Sequence, residues 1–187
     1  MKPAKHRRKT ALINRSETVY KGKLFSFVTE DVTLPNQARA EMAWVRHPGS
    51  TAIVPLLNDG SVVMTLQYRH AVREYLLEIP AGTLDPGETP LDCARRELEE
   101  ETGYVASELT KLARVFILPA YSNEKIHVYL ARGLTATRQN LDKDEIIEVV
   151  KYTRKQLKEM INKSTITDAM TILSLHYAWE YLRNNED

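Results

Sequence analysis

Residues 82–104 read GTLDPGETPLDCARRELEEETGY: a loop rich in glycine and proline that runs into a helix-forming stretch with glutamate at four of the five positions 97–101. At 100° per residue, Glu97, Glu100 and Glu101 share an arc of roughly 100° on that helix. Leu91, Ala94 and Leu98 occupy the adjoining arc. One face gathers carboxylates and its neighbour packs. Like charges three and four residues apart on a helix repel, so a cluster this dense calls for cations to neutralise it. Hard divalent cations such as Mg²⁺ and Mn²⁺ take oxygen ligands and bridge to substrate phosphates. An isolated acidic run is ordinarily a solvated helix face, so the flanking residues must decide between the two readings.

Those flanks keep a fixed spacing: Gly82, five residues, Glu88, seven residues, Arg96-Glu97, an apolar Leu98, one residue, Glu100-Glu101, one residue, Gly103, then Tyr104. Seven fixed identities at a typical usage of roughly 5–10% each give a chance match on the order of 1 in 10⁸ per starting point. The pattern resembles the Nudix box, with Tyr104 standing where that family usually has an aliphatic residue. The resemblance implies an α/β/α sandwich around a mixed sheet and a metal-dependent active site. Glu97, Glu100 and Glu101 would be metal ligands, joined by a backbone carbonyl near Ala81 or Gly82, and Mg²⁺ or Mn²⁺ would be the cofactor. Glu88 and Arg96 would form the salt bridge that holds the loop on the helix, with Gly82 and Gly103 as structural members of the motif.

Three segments outside the box resemble the branch of the family that hydrolyses ADP-ribose and other nucleoside diphosphate sugars. Gln67-Tyr68-Arg69 followed by Glu78-Ile79-Pro80-Ala81-Gly82 matches its upstream signature, which implies that Arg69 and Glu78 line the substrate cleft. The segment 119–124, PAYSNE, is a partial match that keeps Pro119 and Glu124, with Leu118 and Ala120 replacing the usual Ser and Gly. It leaves the sugar open, with GDP-mannose as the runner-up to ADP-ribose. The acidic stretch 142–148, DKDEIIE, resembles the loop that supplies a further carboxylate for the metal or the catalytic base. Glu145 is the first choice there, with Asp142, Asp144 and Glu148 as competitors. From a different class, a module that binds ADP-ribose without cleaving it would usually have eroded the glutamates, which are complete here.

Upstream, short strand-like pieces at 24–29 and 42–45 flank the turn-rich LPNQARAE and predict a small antiparallel sheet. Such a sheet is marginal alone. In the ADP-ribose branch a sheet of this kind exchanges between subunits, which implies a homodimer and makes Phe25, Phe27 and Arg46 candidate contacts to the nucleotide base. The sequence therefore divides into a disordered basic tail at 1–16, a β subdomain at 17–47 and the hydrolase domain at 48–187. Within that domain, 52–57 and 61–69 read as a hairpin turned by Asn58-Asp59-Gly60. Further strands are expected at 75–80, 111–118, 126–131 and 146–152, and helices at 154–161 and 167–182. In the last helix Ala169, Ile172, Leu173, His176 and Trp179 form the expected inward stripe.

The composition is that of a globular protein: 187 residues with a formal net charge of +1, so no global field favours nucleic acid. The local basic run at residues 2–9 reads as a solvated tail rather than a nucleic-acid arm. No apolar run approaches membrane-spanning length, and the single cysteine, Cys93, fits a reducing cytoplasmic setting and a packing role.

Overall fold

The computed structural model describes residues 9–143 and 145–185. The chain forms two compact units, the first running to His47 and including Leu118–Glu124, the second comprising Pro48–Ile117 and residues from Lys125 onward.

The first unit is an antiparallel sheet of β1 (Leu12–Lys21), β2 (Ser26–Thr33) and β3 (Arg39–Arg46), with β2 in the centre. Strand β1 starts at Leu12, inside the stretch expected to be an unstructured tail; residues 1–8 lie outside the described residues. The turn between β2 and β3 places Gln37 at φ 69°, while Asn36 Oδ1 accepts the amide of Ala38 at 3.1 Å. Segment Leu118–Glu124 belongs to this unit because it extends β3: the Val45 amide donates to Tyr121 at 2.7 Å and His47 N to Asn123 Oδ1 at 2.7 Å.

The second unit has two sheets and three helices, the mixed α/β architecture that the sequence implied. Strands β5 (Ser61–Arg69), β6 (Glu74–Glu78) and β10 (Ile147–Thr153) form an antiparallel sheet in the order β10-β5-β6. Strands β4 (Ser50–Pro55), β7 (Ala81–Thr83), β8 (Tyr104–Phe116) and β9 (Lys125–Ala136) form a mixed sheet in the order β7-β4-β9-β8, in which β4 and β9 are parallel. All six residues of β4 are buried, the mark of a strand covered on both faces. On one face Ile53, Tyr129 and Ala131 pack against Ala94 and Leu98 of α1 (Pro90–Thr102). On the other, Ala52, Val54, Val128 and Leu130 pack with Met64, with Leu157 of α2 (Arg154–Asn162), and with Leu175 and Trp179 of α3 (Ala169–Asn185). Each fully buried Leu or Ile contributes about 1.5–3 kcal/mol.

Two expectations are corrected. Strands β4 and β5 are not a hairpin pair: Gly60 turns the chain at φ 81°, yet only the bridge Leu56↔Val62 joins them before they enter different sheets. In α3 the buried stripe is Thr171, Ser174, Leu175, Ala178 and Trp179, which leaves Ala169 and His176 exposed. Asp168 caps that helix by accepting the Thr171 amide at 2.7 Å.

Candidate active site

Helix α1 begins with Thr89 as N-cap and Pro90 in the first turn and ends at Gly103, whose φ of 67° forms a left-handed cap. It is laid against β7 by close contact: a Cβ at position 82 would stand 1.8 Å from the carboxyl group of Glu97. Only glycine lets Glu97 lie there. One turn on, Glu101 Oε2 accepts the amide of Ala81 at 3.0 Å. Both carboxylates are largely withdrawn from solvent, Glu97 to 8% and Glu101 to 3% exposure. Burial raises the Glu97 carboxyl to about 7 against the opposing pull of Arg96. It raises Glu101 well above its usual range, with the charge of Glu97 adding to the effect.

Arg96 organises the rest. Its Nε and Nη2 grip the two oxygens of Glu88, each at 2.9 Å, which is the loop-to-helix bridge expected from the sequence. The same guanidinium does more than was expected of it, since Nη1 lies 2.7 Å from Glu97 Oε1 and 3.0 Å from Glu100 Oε2. Arg96 is thus the internal counter-charge to two of the candidate ligands. Among the described residues no three acidic, histidine or cysteine side chains are grouped as a ready metal cage, in keeping with Glu97 and Glu100 being turned onto Arg96. Chemically the donor types suit a hard divalent cation: Glu97, Glu100 and Glu101 are all carboxylates on one helix, with no room for a side chain at Gly82 beside Glu97. Cys93 is buried beneath, 3.4 Å from Thr51 Oγ1, and its thiol is pushed up to about 12 by burial. Burial and a raised thiol are the marks of a packing residue.

Arg69, the last residue of β5, reaches back along β6 to Glu78, whose register partner is Thr65. Nε of Arg69 lies 3.1 Å from both oxygens of Glu78 and Nη2 lies 2.5 Å from Oε2. Glu78 is 3% exposed and the Arg69 side chain 40%, so the pair is rooted in the protein and open at the guanidinium end. Burial raises Glu78 and Arg69 opposes it. Arg69 also feels the charges of Glu101 and Asp168, which puts the pair electrostatically beside α1. Of the acidic loop, Glu145 is the member whose charge reaches Glu97 and Glu101; Asp142 and Glu148 are exposed, and Asp144 lies outside the described residues.

Within the second unit, direct contacts join Ala81, Gly82, Glu88, Arg96, Glu97, Glu100 and Glu101, with Gly103 capping the same helix; Arg69 and Glu78 form a separate pair, and both Arg69 and Glu145 are linked to Glu101 through charge. The other three candidates belong to the first unit: Arg46 lies over the Trp44 ring at 5.3 Å, Phe27 pairs with Val45, and Glu124 Oε1 is 3.7 Å from His47 Nδ1. Sequence reasoning passed over Thr171, whose hydroxyl accepts the Ile79 amide at 3.0 Å and so fixes the strand end before Ala81. A threonine three residues after a capping aspartate was the available signal.

A family model described as NUDIX domain matches residues 46–169. The chain is 36% identical over 163 residues to the ADP-ribose pyrophosphatase of Bacillus subtilis (strain 168), covering 86% of this chain and 88% of that protein. It is 34% identical over 165 residues to the methanol dehydrogenase activator of Bacillus methanolicus, covering 87% of this chain and 89% of that one. Among solved structures, an ADP compounds hydrolase superposes with a TM-score of 0.83 at 24% identity, covering 95% of this chain and 97% of its own, which is a likeness of fold.

Proposed function

Because this chain belongs to the NUDIX family, we propose that it hydrolyses the pyrophosphate bond of nucleoside diphosphate sugars, with ADP-ribose, split into AMP and ribose 5-phosphate, as the favoured substrate. The observation that carries this reading is the cradle on α1: Glu97 and Glu101, both nearly buried, pressed onto Gly82 and Ala81 within the field of Glu145. The similarity to an ADP-ribose pyrophosphatase along most of both chains supports the choice of substrate.

Glu97, Glu100, Glu101 and the backbone carbonyl of Ala81 would hold Mg²⁺ or Mn²⁺, and a divalent ion there supplies charge neutralisation for the diphosphate and a more acidic water. Glu145 accepts a proton from the water that attacks phosphorus. The bond from that phosphorus to the bridging oxygen breaks, and its electron pair leaves with the departing phosphate. Arg69, oriented by Glu78 through Nε and Nη2, keeps Nη1 for a phosphate oxygen. In the first unit, Phe27 and Arg46 offer flat surfaces suited to a base, and Glu124 is the carboxylate that the family resemblance assigns to substrate binding. We assign the enzyme to the cytoplasm as a homodimer; no helix among the described residues is long and apolar enough to cross a membrane.

The test is a panel of ADP-ribose, GDP-mannose, ADP-glucose, dinucleoside polyphosphates and nucleoside triphosphates, each with Mg²⁺ or Mn²⁺, run in ¹⁸O-labelled water to locate the attacked phosphorus. ADP-ribose is expected to give the highest kcat/KM. GDP-mannose in first place would select the runner-up sugar, and binding without product would select a non-catalytic module. Glu101→Gln is expected to keep the fold and lower kcat by about 10³-fold or more; a variant as active as the parent overturns the assignment.

A further inference from the structure

We infer that segment 137–140, leaving β9, is a strap that fixes the C-terminal end of α1 to the loop bearing Glu145, and that Gln139 is a positioning residue of the active site. This rests on the hydrolase reading above and adds a residue to which that reading gives no role.

The need for a strap follows from electrostatics. The last turn of helix α1 holds Glu99, Glu100 and Glu101 before Thr102 and has no basic residue. A helix C-terminus carries partial negative charge and unsatisfied carbonyls, so this carboxylate cluster sits where the helix itself repels it. Arg96, farther back on the helix, takes up part of the charge of Glu97 and Glu100. At the helix end itself the chain adds neutral donors. Gly103 N donates to the Glu99 carbonyl at 2.8 Å, Asn140 N to Glu100 at 2.9 Å, and Thr137 N to Gly103 at 2.7 Å. Gln139 Nε2 donates to the Glu101 carbonyl at 2.6 Å, a side-chain amide on the backbone of a candidate ligand.

The strap lies close against the helix end, since a Cβ at Gly103 would stand 2.9 Å from Gln139 N. Gly103 is thus required by the strap as well as by its own backbone angle. Downstream, Asp142 and Glu145 close a turn: Asp142 N donates to Glu145 Oε2 at 2.9 Å and Glu145 N to the Asp142 carbonyl at 3.0 Å. One residue later, Tyr68 N donates to the Ile146 carbonyl at 3.2 Å and ties the loop to β5 next to Arg69. The Glu145 turn is therefore held on both sides, by the strap to α1 and by Ile146 to β5. A proton acceptor must stay within hydrogen-bond reach of the water it serves, and displacements near 1 Å can cost about 10²-fold in rate.

Gln139→Met keeps the length of the side chain and loses the donor; Gln139→Lys keeps a donor. In Gln139→Met, kcat on ADP-ribose with Mg²⁺ is expected to fall about 10- to 100-fold, with KM within about threefold and amide exchange accelerated at residues 141–143, 145 and 146. Gln139→Lys is expected to recover most of both. A Gln139→Met protein with parental kcat and parental exchange overturns the inference, as does a lowered Tm with kcat unchanged. Exchange is measured without turnover, so an inert parent with strap-dependent exchange would sink the hydrolase reading while leaving the strap in place.

Discussion

A methyl group at position 82 has nowhere to go but into the carboxyl of Glu97, 1.8 Å away. That carboxyl is the far end of a flexible side chain, so the collision is relieved by moving Glu97 rather than the backbone. Gly82→Ala should therefore cost activity and not fold: kcat is expected to drop about 10²-fold or more, while Tm moves by a few degrees or less, checked by steady-state kinetics beside thermal unfolding. A large fall in Tm with proportionate activity would show that the glycine serves packing alone. At this scale the sequence was informative where spacing carries the meaning. Helical spacing placed Glu97, Glu100 and Glu101 on one face, and the resemblance carried by the interval from Gly82 to Gly103 implied the Glu88–Arg96 bridge. It could not show Arg96 turning Nη1 to Glu97 and Glu100, because that depends on a rotamer chosen by three carboxylates at once. Nor did it single out Gln139, whose partner lies 38 residues away.

Between elements, the loop after β7 is attached to α1 through Glu88 and Arg96. The Arg96 hydrogen bonds hold the Glu88 carboxyl down to about 2, against burial acting the other way, with the Asp85 amide helping at 3.0 Å. A carboxyl depressed below its usual value adds stability that is complete above about pH 4.5 and disappears as pH falls through about 2. Glu88→Gln is expected to lower neutral-pH stability by about 1–3 kcal/mol, and denaturant unfolding from pH 7 to pH 2 should show the gap to the parent closing below pH 4.5. A gap independent of pH would mean that the Glu88 charge contributes nothing to the attachment. The elements themselves were legible where one period dominated: the acidic stretch is a single helix, α1, closed by Thr89 and Gly103. They were misread where two signals compete. The Asn58-Asp59-Gly60 turn is real, but partner choice is non-local, and β4 is claimed by β7 and β9. In α3 the apolar positions run almost all round, so the inward face is set by what the helix packs on, and polar Thr171 and Ser174 are buried while His176 is not.

Over the whole chain, the second unit has a continuous core on both faces of its mixed sheet, whereas the first is three strands with β1 exposed at every one of its ten residues. Leu12, Ile13, Val19 and Tyr20 stand on that edge strand, all more than half exposed. A long apolar edge invites pairing with another chain, and a patch of this kind marks an interaction site. A homodimer through this sheet meets both conditions. It also explains why the resemblance in the sequence extended to a subdomain too small to stand alone. Light scattering is expected to give twice the 21.4 kDa chain mass. Because Leu12 and Val19 are exposed, Leu12→Lys with Val19→Lys should leave the fold intact and shift the population to monomer. Should Phe27 and Arg46 serve a site completed by the partner, the same variant would raise KM for ADP-ribose about tenfold or more, with metal uptake by the α1 carboxylates unchanged. A monomeric parent, or a monomeric variant with parental KM, would remove the dimer from the catalytic account and leave the second unit to bind the nucleotide by itself.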